Sequence, residues 1–227
     1  MTMLLEQTTR VTSADLVFNH LYEQIMSLSL EPGEKISEAE IAGKLGLSRQ
    51  PVRDAFNRLA NLGLLLVQPQ RPTLVRPFSM SSISNARFVR AAIEVEIARN
   101  TVANWTDTCA PGFEKIISRQ EAAAATHDLK AFHDLDEEFH REIALIAKRL
   151  DAFDMAMSMK AQIDRICVLS LKNDDELQAI IDDHKAIFSG LQQRDEKAVD
   201  AALRKHLSRI LDTIEAVQKS HPKYFNA

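Results

Sequence analysis

Glycine and proline are concentrated at one end of this 227-residue chain, and this asymmetry constrains the fold most strongly. Four of the six glycines and five of the seven prolines lie before residue 79. After that point the sequence has no strand pattern and shows successive apolar stripes at helical spacing. Polar breaks divide the stripes into predicted helices at about 80–104, 109–126, 128–148, 152–171, 174–193 and 195–219. Long helices with short connections predict a six-helix antiparallel bundle over residues 79–227.

The first 78 residues follow a different pattern of short elements separated by turn signals. Apolar stripes predict helices at residues 12–28, 37–45 and 48–62, with Gly46 in the tight turn between the second and the third. Residues 64–77 then predict strand, turn and strand. A helix, a glycine turn, a second helix and a small β-ribbon together predict a winged helix-turn-helix. The fold class is therefore mainly α.

The predicted third helix begins with polar residues that its apolar stripe does not use. Ser48 stands at the N-cap position, and Arg49 and Arg53 are four residues apart, so they share one helical face. In a winged helix-turn-helix this end of the helix enters the major groove, where Arg can pair with guanine and Gln50 with adenine. Arg71 at the ribbon tip is a further candidate for DNA contact. The alternative is a solvated face in which Arg53 bridges a nearby carboxylate.

Composition limits the classes of partner and compartment. The net charge is −4, but residues 49–76 contain five arginines against Asp54 alone, which is a local basic patch. No apolar run approaches the ~18 residues of a membrane span, and the N-terminus does not have the pattern of a signal peptide. The two cysteines show no metal or redox spacing. We therefore expect a cytoplasmic protein with no membrane partner.

Four titratable residues fall on the apolar stripes of three predicted bundle helices. Asp136 and His140 share one helical face, while His184 and His206 lie on two other helices. Taken singly, an interior histidine is usually a hydrogen-bonded core residue, and that structural role is one alternative. Taken together, three nitrogens and one oxygen predict a site for a divalent transition metal: Zn, Ni, Mn or Fe. Such a site leaves coordination positions for water or for the carboxylate of an effector.

An enzymatic alternative rests on Glu137 and His140, which form the Glu-x-x-His half-motif of di-iron helical bundles. That reaction centre needs a second copy, but Ile181 and Leu203 stand three residues before the other two histidines. The sequence has no glycine-rich phosphate loop or nucleophile elbow either. We therefore predict a protein that is not an enzyme. A metalloenzyme bundle with an accessory winged-helix interaction domain is the alternative.

Several motifs make the sequence resemble the GntR superfamily of bacterial transcription regulators, in the branch with an all-helical FCD effector domain and within its metal-binding subgroup. The first half contributes Pro32-Gly33, SEAEIAGKLGLSRQPVRDAFNRLANLGLL at 37–65 and RPTLV at 71–75. The second half contributes RAAIE at 90–94, DEEFH at 136–140, DDHKAI at 182–187 and His206-Leu207. The resemblance spans nearly the whole chain.

The resemblance implies a homodimeric regulator that binds double-stranded operator DNA and responds to a small organic acid. It implies a DNA-binding domain over residues 1–78 and an effector-binding and dimerisation domain over residues 79–227. It carries DNA contacts over to Ser48, Arg49, Gln50, Arg53, Arg71 and Thr73. It assigns the metal to Asp136, His140, His184 and His206, and places Arg90 in the effector pocket.

Overall fold

The computed structural model describes residues 11–158, 160–170 and 174–226. The chain divides into two compact units, Met1–Pro77 and Phe78–Ala227. The chain is mainly helical, with one small antiparallel sheet in the first unit. None of the described helices combines the length and the apolar character that a membrane crossing requires.

From residue 11 onward, the first unit contains three helices and a three-stranded antiparallel sheet in the order β1-β3-β2. In chain order its elements are α1 (Ser13–Met26), β1 (Lys35–Ile36), α2 (Glu38–Leu45), α3 (Arg49–Asn61), β2 (Leu65–Leu66) and β3 (Thr73–Val75). The predicted helix, turn, helix and ribbon are confirmed. The sheet has one strand more than expected, because two residues are too few to show a strand pattern. Strand β1 is defined by its pairing with β3, Lys35 opposite Leu74.

The core of this unit lies between α1 and α3, which pack against each other. Its members are buried apolar side chains at helical spacing on both helices: Val17, Leu21, Ile25, Val52, Phe56 and Leu59. A polar clasp joins the same helices at the surface, where Arg58 Nη1 lies 2.8 Å from Asp15 Oδ1 and the guanidinium covers the Phe18 ring at 4.0 Å. Thr12 caps α1 through a reciprocal pair of hydrogen bonds with Asp15.

The second unit consists of helices joined by short connections. Its α-helices are α4 (Met80–Asn104), α5 (Ala110–Ala125), α6 (Leu129–Ile146), α7 (Leu150–Met157), α8 (Ala161–Ser170), α9 (Asp174–Gln193), α10 (Glu196–Ser208) and α11 (Ile210–Ser220). Short 3₁₀ turns cover Asp107–Cys109 and Pro222–Tyr224. Helices α4 and α9 match the prediction residue for residue.

Two of the six predicted helices are each divided in the structure. The helix expected at 152–171 is replaced by α7 and α8, and the helix expected at 195–219 is replaced by α10 and α11. Tightened turns mark both divisions: Lys160 N–H donates to Met157 O, and Arg209 N–H donates to His206 O. Such i→i−3 hydrogen bonds belong to the 3₁₀ geometry that interrupts α-helices. Apolar periodicity continues across these turns, so it does not reveal them.

Helices α9 and α10 approach closely at Gly190. A Cβ atom at this position would lie 2.8 Å from Val199 Cγ2 and 3.2 Å from the Val199 nitrogen. Real Cβ atoms do not approach other atoms that closely, so the absent side chain allows the two helices to pack at this distance. His184 lies on α9 and His206 on α10, so this contact fixes the spacing of two candidate metal ligands.

The first residue of the second unit is held by residues near its C-terminal end. Phe78 N–H donates to Tyr224 O at 2.7 Å, and Asn226 N–H donates to Phe78 O at 2.9 Å. The Phe78 ring is buried against the Phe225 ring, with centroids 5.3 Å apart. The guanidinium of the buried Arg165, on α8, lies 4.9 Å from the Phe78 ring centroid. Both sequence ends of this unit therefore belong to one packed cluster.

Candidate nucleic-acid interface and metal centre

The N-terminus of α3 is held at the surface by the turn that precedes it. Gly46 has a left-handed φ of 66°, which ends α2 and reverses the chain within two residues. Ser48 occupies the N-cap position of α3, as the sequence predicts, but its hydroxyl makes no capping hydrogen bond. The exposed hydroxyl can therefore serve an external acceptor such as a phosphate oxygen.

Arg49, Gln50 and Arg53 all lie on the exposed side of α3. Arg49 makes no ion pair with any residue that the structure describes. Gln50 Nε2 donates to Asp54 Oδ1 at 2.9 Å. Arg53 Nε lies 3.3 Å from Glu38 Oε2 on α2, so the bridging carboxylate that the sequence left as an alternative is present.

The pairing of Arg53 does not remove it from solvent. Its side chain remains 56% exposed, and the Glu38 side chain is 32% exposed. Exposed ion pairs typically contribute between 0 and about 1 kcal/mol, because water screens them and both side chains lose freedom. A DNA phosphate can displace such a carboxylate at little cost. Arg53 therefore remains a candidate DNA contact, with Glu38 as an intramolecular competitor.

The predicted ribbon residues lie on the exposed tip and on the second strand of the wing, β3. Arg71 is exposed, and its guanidinium lies 3.5 Å from Gln68 Oε1. Thr73 begins β3 and is half-buried. Gln70 has a φ of 56°, the left-handed conformation that favours glycine, so the tip turns sharply between Pro69 and Pro72.

In the second unit the structure brings the four predicted ligands together. One ligand atom from each of Asp136, His140, His184 and His206 lies within 4.8 Å of the other three. The Nε2 atoms of His140 and His206 are 3.0 Å apart. Asp136 Oδ1 is 3.4 Å from His184 Nε2 and 4.0 Å from His206 Nε2.

These separations fit a shared metal ion. Ligands about 2.1 Å from one ion are about 3.0 Å apart at a right angle, about 3.4 Å apart in a tetrahedron and about 4.2 Å apart on opposite sides. The buried His184 Nε2 atom has no hydrogen-bond partner among the described residues, although it points at this cluster. A ring nitrogen in that position costs free energy unless something binds it. The donor set and the geometry therefore suit a divalent transition metal.

Two of the histidines, His140 and His184, are held from behind by an acceptor at the other ring nitrogen. His140 Nδ1 lies 2.9 Å from Glu94 Oε2, and His184 Nδ1 lies 2.9 Å from Gln120 Oε1. Acceptors in this position fix the tautomer that leaves Nε2 free for a metal. His206 Nδ1 is 3.9 Å from Asp183 Oδ2, beyond hydrogen-bond distance, and has no hydrogen-bond partner among the described residues. The Nε2 atoms of all three histidines lie at the cluster.

The local electrostatics favour the protonation states that coordinate metal. Burial by itself would raise the pKa of Asp136, but its contact with His184 and the charge of Lys160 outweigh burial and hold that pKa well below its usual range. Burial lowers the pKa of His184 and lowers the pKa of His206 strongly. Asp136 is therefore anionic, and these two histidines are neutral at neutral pH. Metal ligands need those states.

A cavity of about 310 Å³ opens beside the cluster, and Asp136 and His206 form part of its wall. Arg90, the predicted effector residue, also lines this cavity. Its side chain is buried, and its Nε atom lies 2.7 Å from Glu94 Oε1. Glu94 therefore contacts both Arg90 and the back of His140, which connects the cavity wall with the candidate metal centre.

Sequence reasoning missed the supporting residues of this site. Gln120 carried a usable signal, because it is a polar residue on the buried stripe of α5 with Phe113 and Ile116. Glu94 lies one turn from Arg90, a weaker signal. Asp183 and Lys160 carried no signal in the sequence pattern. Asp183 lies beside the apolar stripe of α9, and Lys160 lies at the break between α7 and α8. Glu137, of the half-motif, is exposed and outside the cluster.

Together these features define a class of protein: a winged-helix transcription regulator with an all-helical C-terminal domain. Residues 14–75 match the family described as bacterial regulatory proteins, gntR family, and residues 86–209 match the FCD domain. The chain therefore belongs to the GntR family of transcriptional regulators and has an FCD domain.

Named relatives agree with this assignment. The HTH-type transcriptional repressor RspR of Escherichia coli K12 is 32% identical over 92% of this chain and 92% of its own length. The Nta operon transcriptional regulator of Aminobacter aminovorans is 26% identical over 83% of this chain and 90% of its own length. The solved structure of E. coli McbR/YncC has a TM-score of 0.73 at 19% identity and covers 93% of this chain and 99% of that one. This likeness supports the fold.

Proposed function

We propose that this regulator is a homodimer whose affinity for operator DNA is controlled by a small carboxylate bound next to a divalent metal in the helical domain. The observation that carries the proposal is a shared wall: Asp136 and His206 belong both to the candidate metal cluster and to the 310 Å³ cavity. A ligand in that cavity is in reach of the metal face.

We assign DNA binding to a domain over residues 1–78, which corresponds to the first unit and one further residue. Arg49, Gln50 and Arg53 would face the major groove, Ser48 a phosphate, and Arg71 with Thr73 the groove or backbone beside the wing. The support is the exposure of the α3 N-terminus and the local excess of arginine. In a homodimer two such helices read half-sites about one DNA turn apart.

In the helical domain, Asp136, His140, His184 and His206 would hold the metal, and Glu94 and Gln120 would orient His140 and His184. A bound metal supplies a positive charge that attracts the carboxylate of an effector. Arg90 adds a second positive charge on the cavity wall. A ligand that binds one conformation of the dimer better than the other shifts the population between them, and operator affinity changes with it.

The DNA part is tested by fluorescence anisotropy on the DNA upstream of the protein's own gene. Arg49→Ala and Arg53→Ala should each weaken binding and lower the salt slope by about one for each phosphate that the variant no longer neutralises. Arg141→Ala, an exposed arginine on α6, is the matched control and should change neither value. Equal binding by all four proteins would contradict the assignment.

The metal part is tested by elemental analysis of the full-length protein purified without a metal-affinity tag. We expect about one divalent transition metal per chain, and its loss in His206→Ala. The exposed His20, in the first unit, is the control, since His20→Ala should keep the metal. Retention of metal by His206→Ala would remove that ligand from the proposal. Sedimentation equilibrium on the same samples tests the homodimer.

A further inference from the structure

We propose that the effector is a hydroxycarboxylate and that Lys160 and Asp164 bind its hydroxyl group. This inference rests on the proposed function, because it names the class of molecule that occupies the cavity. Neither residue was singled out by the sequence. Both line the cavity, and both are among its most deeply buried polar groups.

Lys160 has a buried ammonium group that makes ion-pair contacts but no hydrogen bond with the described residues. The residue is 4% exposed, and its Nζ atom makes no hydrogen bond within the described residues. Two carboxylate oxygens lie near it, Asp136 Oδ2 at 3.7 Å and Asp164 Oδ1 at 3.5 Å. Both distances are longer than those of N–H···O hydrogen bonds, which lie between about 2.7 and 3.2 Å. A buried ammonium whose donors are unused is stabilised by any acceptor that enters the cavity.

Asp164 has the complementary need for a donor. It is 7% exposed, and its Oδ1 atom accepts no hydrogen bond from the part of the chain that the structure describes. Its other oxygen, Oδ2, lies 3.7 Å from His133 Nε2. A free donor on Lys160 and a free acceptor on Asp164 thus stand 3.5 Å apart on the wall of one cavity.

A hydroxyl group is the functional group that satisfies both atoms together. Its oxygen accepts from the Lys160 ammonium, and its hydrogen is donated to Asp164 Oδ1. A second carboxylate would satisfy Lys160 but would be repelled by Asp164. An ammonium group would satisfy Asp164 but would be repelled by Lys160. A methylene group satisfies neither. The pair therefore selects hydroxyl groups against the other common substituents of small organic acids.

The rest of the cavity accepts the remainder of such a molecule. The carboxylate faces the side of the wall formed by Arg90, Asp136 and His206. Phe132 and Ile180 supply apolar surface for a short carbon chain. The volume of about 310 Å³ lies at the small end of the range for ligand pockets, so the cavity suits a small acid.

The inference is tested by calorimetric titration of the metal-loaded, full-length protein with matched acids. The pairs are lactate against propionate and 3-hydroxybutyrate against butyrate, which place the hydroxyl on the second or the third carbon. We expect the better hydroxy acid to bind at least about tenfold more tightly than its partner, because hydrogen bonds to charged groups are the stronger kind. Equal affinity within both pairs would overturn the inference.

A hydroxy acid could also bind more tightly through the metal itself, and Lys160→Met separates the two causes. This variant keeps the side-chain length and removes the ammonium, so the preference should fall to less than about threefold while the carboxylates still bind. Lys130→Met, at an exposed position on α6, should keep the full preference. An unchanged preference in a folded Lys160→Met protein would assign the hydroxyl to another group and refute the inference.

Failure of the inference can be told apart from failure of the proposed function. If the wild-type protein binds carboxylates without regard to the hydroxyl, the effector site stands and only the hydroxyl assignment fails. If no small carboxylate binds the metal-loaded protein at millimolar concentration, the effector part of the proposed function fails and the inference fails with it. The wild-type titrations suffice for both decisions, so neither depends on a variant that folds.

Discussion

His140 and His206 face each other through their Nε2 atoms at a separation of 3.0 Å, although 66 residues separate them in the chain. Helix α6 supplies both Asp136 and His140, α9 supplies His184, and α10 supplies His206. The three rings contact one another, with centroids between 4.7 and 5.6 Å apart. Two imidazole nitrogens at this distance can share one proton, or both can bind one cation.

Chelation should therefore destabilise the protein. A metal at a concentration 100-fold above its dissociation constant stabilises the native state by about 2.7 kcal/mol, so its removal with EDTA should lower the melting temperature by several degrees. Adding back one divalent metal should restore it. Differential scanning calorimetry of wild type and His140→Ala makes the comparison, and His140→Ala should show no response to EDTA. A melting temperature that EDTA leaves unchanged in both proteins would favour a purely structural role for the histidines.

Gln120→Leu should weaken metal binding although Gln120 is not a ligand. The substitution removes the Oε1 acceptor that holds His184 Nδ1 at 2.9 Å. Removal of such a supporting group typically costs 10- to 100-fold in metal affinity. Competition with a coloured chelator gives the affinity, and Gln178→Leu, at an exposed position on α9, serves as the control. Unchanged affinity in Gln120→Leu would show that packing alone positions the His184 ring.

Gly190→Ala should destabilise the helical unit by about 1–3 kcal/mol, because overpacking a tight contact forces the helices apart. The new methyl group would meet Val199 Cγ2 at 2.8 Å and the Val199 backbone nitrogen at 3.2 Å. Urea unfolding monitored by circular dichroism measures the change. Gly112→Ala is a suitable comparison, since its Cβ would meet only the flexible Glu142 carboxylate, at 3.3 Å. Metal affinity should fall in Gly190→Ala and not in Gly112→Ala.

Glu38→Gln should strengthen operator binding. The change releases Arg53 from the carboxylate 3.3 Å away and removes a negative charge from the α2 side of the interface. We expect a gain of about two- to fivefold at low salt, in line with the small free energies of exposed ion pairs. Glu40→Gln removes an equal charge from the same helix but breaks only the contact with Lys44, so it controls for long-range charge. Equal gains in both variants would mean that the Arg53 contact has no specific effect.

The acid response of the first unit should include Asp15. Hydrogen bonds from Thr12, and then from Arg58, lower its pKa from 3.8 to about 2. Because the folded pKa is below the ordinary value, the contribution of Asp15 to stability is complete above about pH 4 and is lost as the pH falls toward about 2. Carboxyl-detected NMR titration measures the value directly. In Asp15→Asn the pH dependence of unfolding across this window should be smaller, and a measured pKa near 3.8 would contradict the account.

Most of the fold can be predicted from the sequence, because helical periodicity repeats many times over long segments. Helix α4, Met80–Asn104, matches its prediction because 25 residues without glycine or proline give buried positions at helical spacing along its length. The sequence does not predict strand β1, because Lys35–Ile36 is too short for an alternating pattern and its pairing with β3 is a long-range contact. The sequence does not predict the divisions between α7 and α8 and between α10 and α11, because the apolar stripe continues past each tightened turn.

The four candidate ligands can be predicted for the same reason, since they interrupt apolar stripes: Asp136, His140, His184 and His206. The residues that contact a candidate site residue follow no such pattern in the sequence. Arg53 and Glu38 are 15 residues apart on two helices, and whether they meet depends on the angle between α2 and α3. Lys160 lies in the connection before α8, where periodicity gives no face. Contacts that depend on how helices pack cannot be obtained from the period of any one helix.

The pairing of Phe78 with Phe225 has a practical meaning for protein engineering. Phe78 and Phe225 lie in one β-bridge, so a short linker between them would close the described helical unit into a loop of sequence. Such adjacency is the condition under which circular permutation succeeds, with new ends opened in an exposed turn such as that at Arg194-Asp195. A permuted helical unit would offer a route to study ligand binding without the first unit.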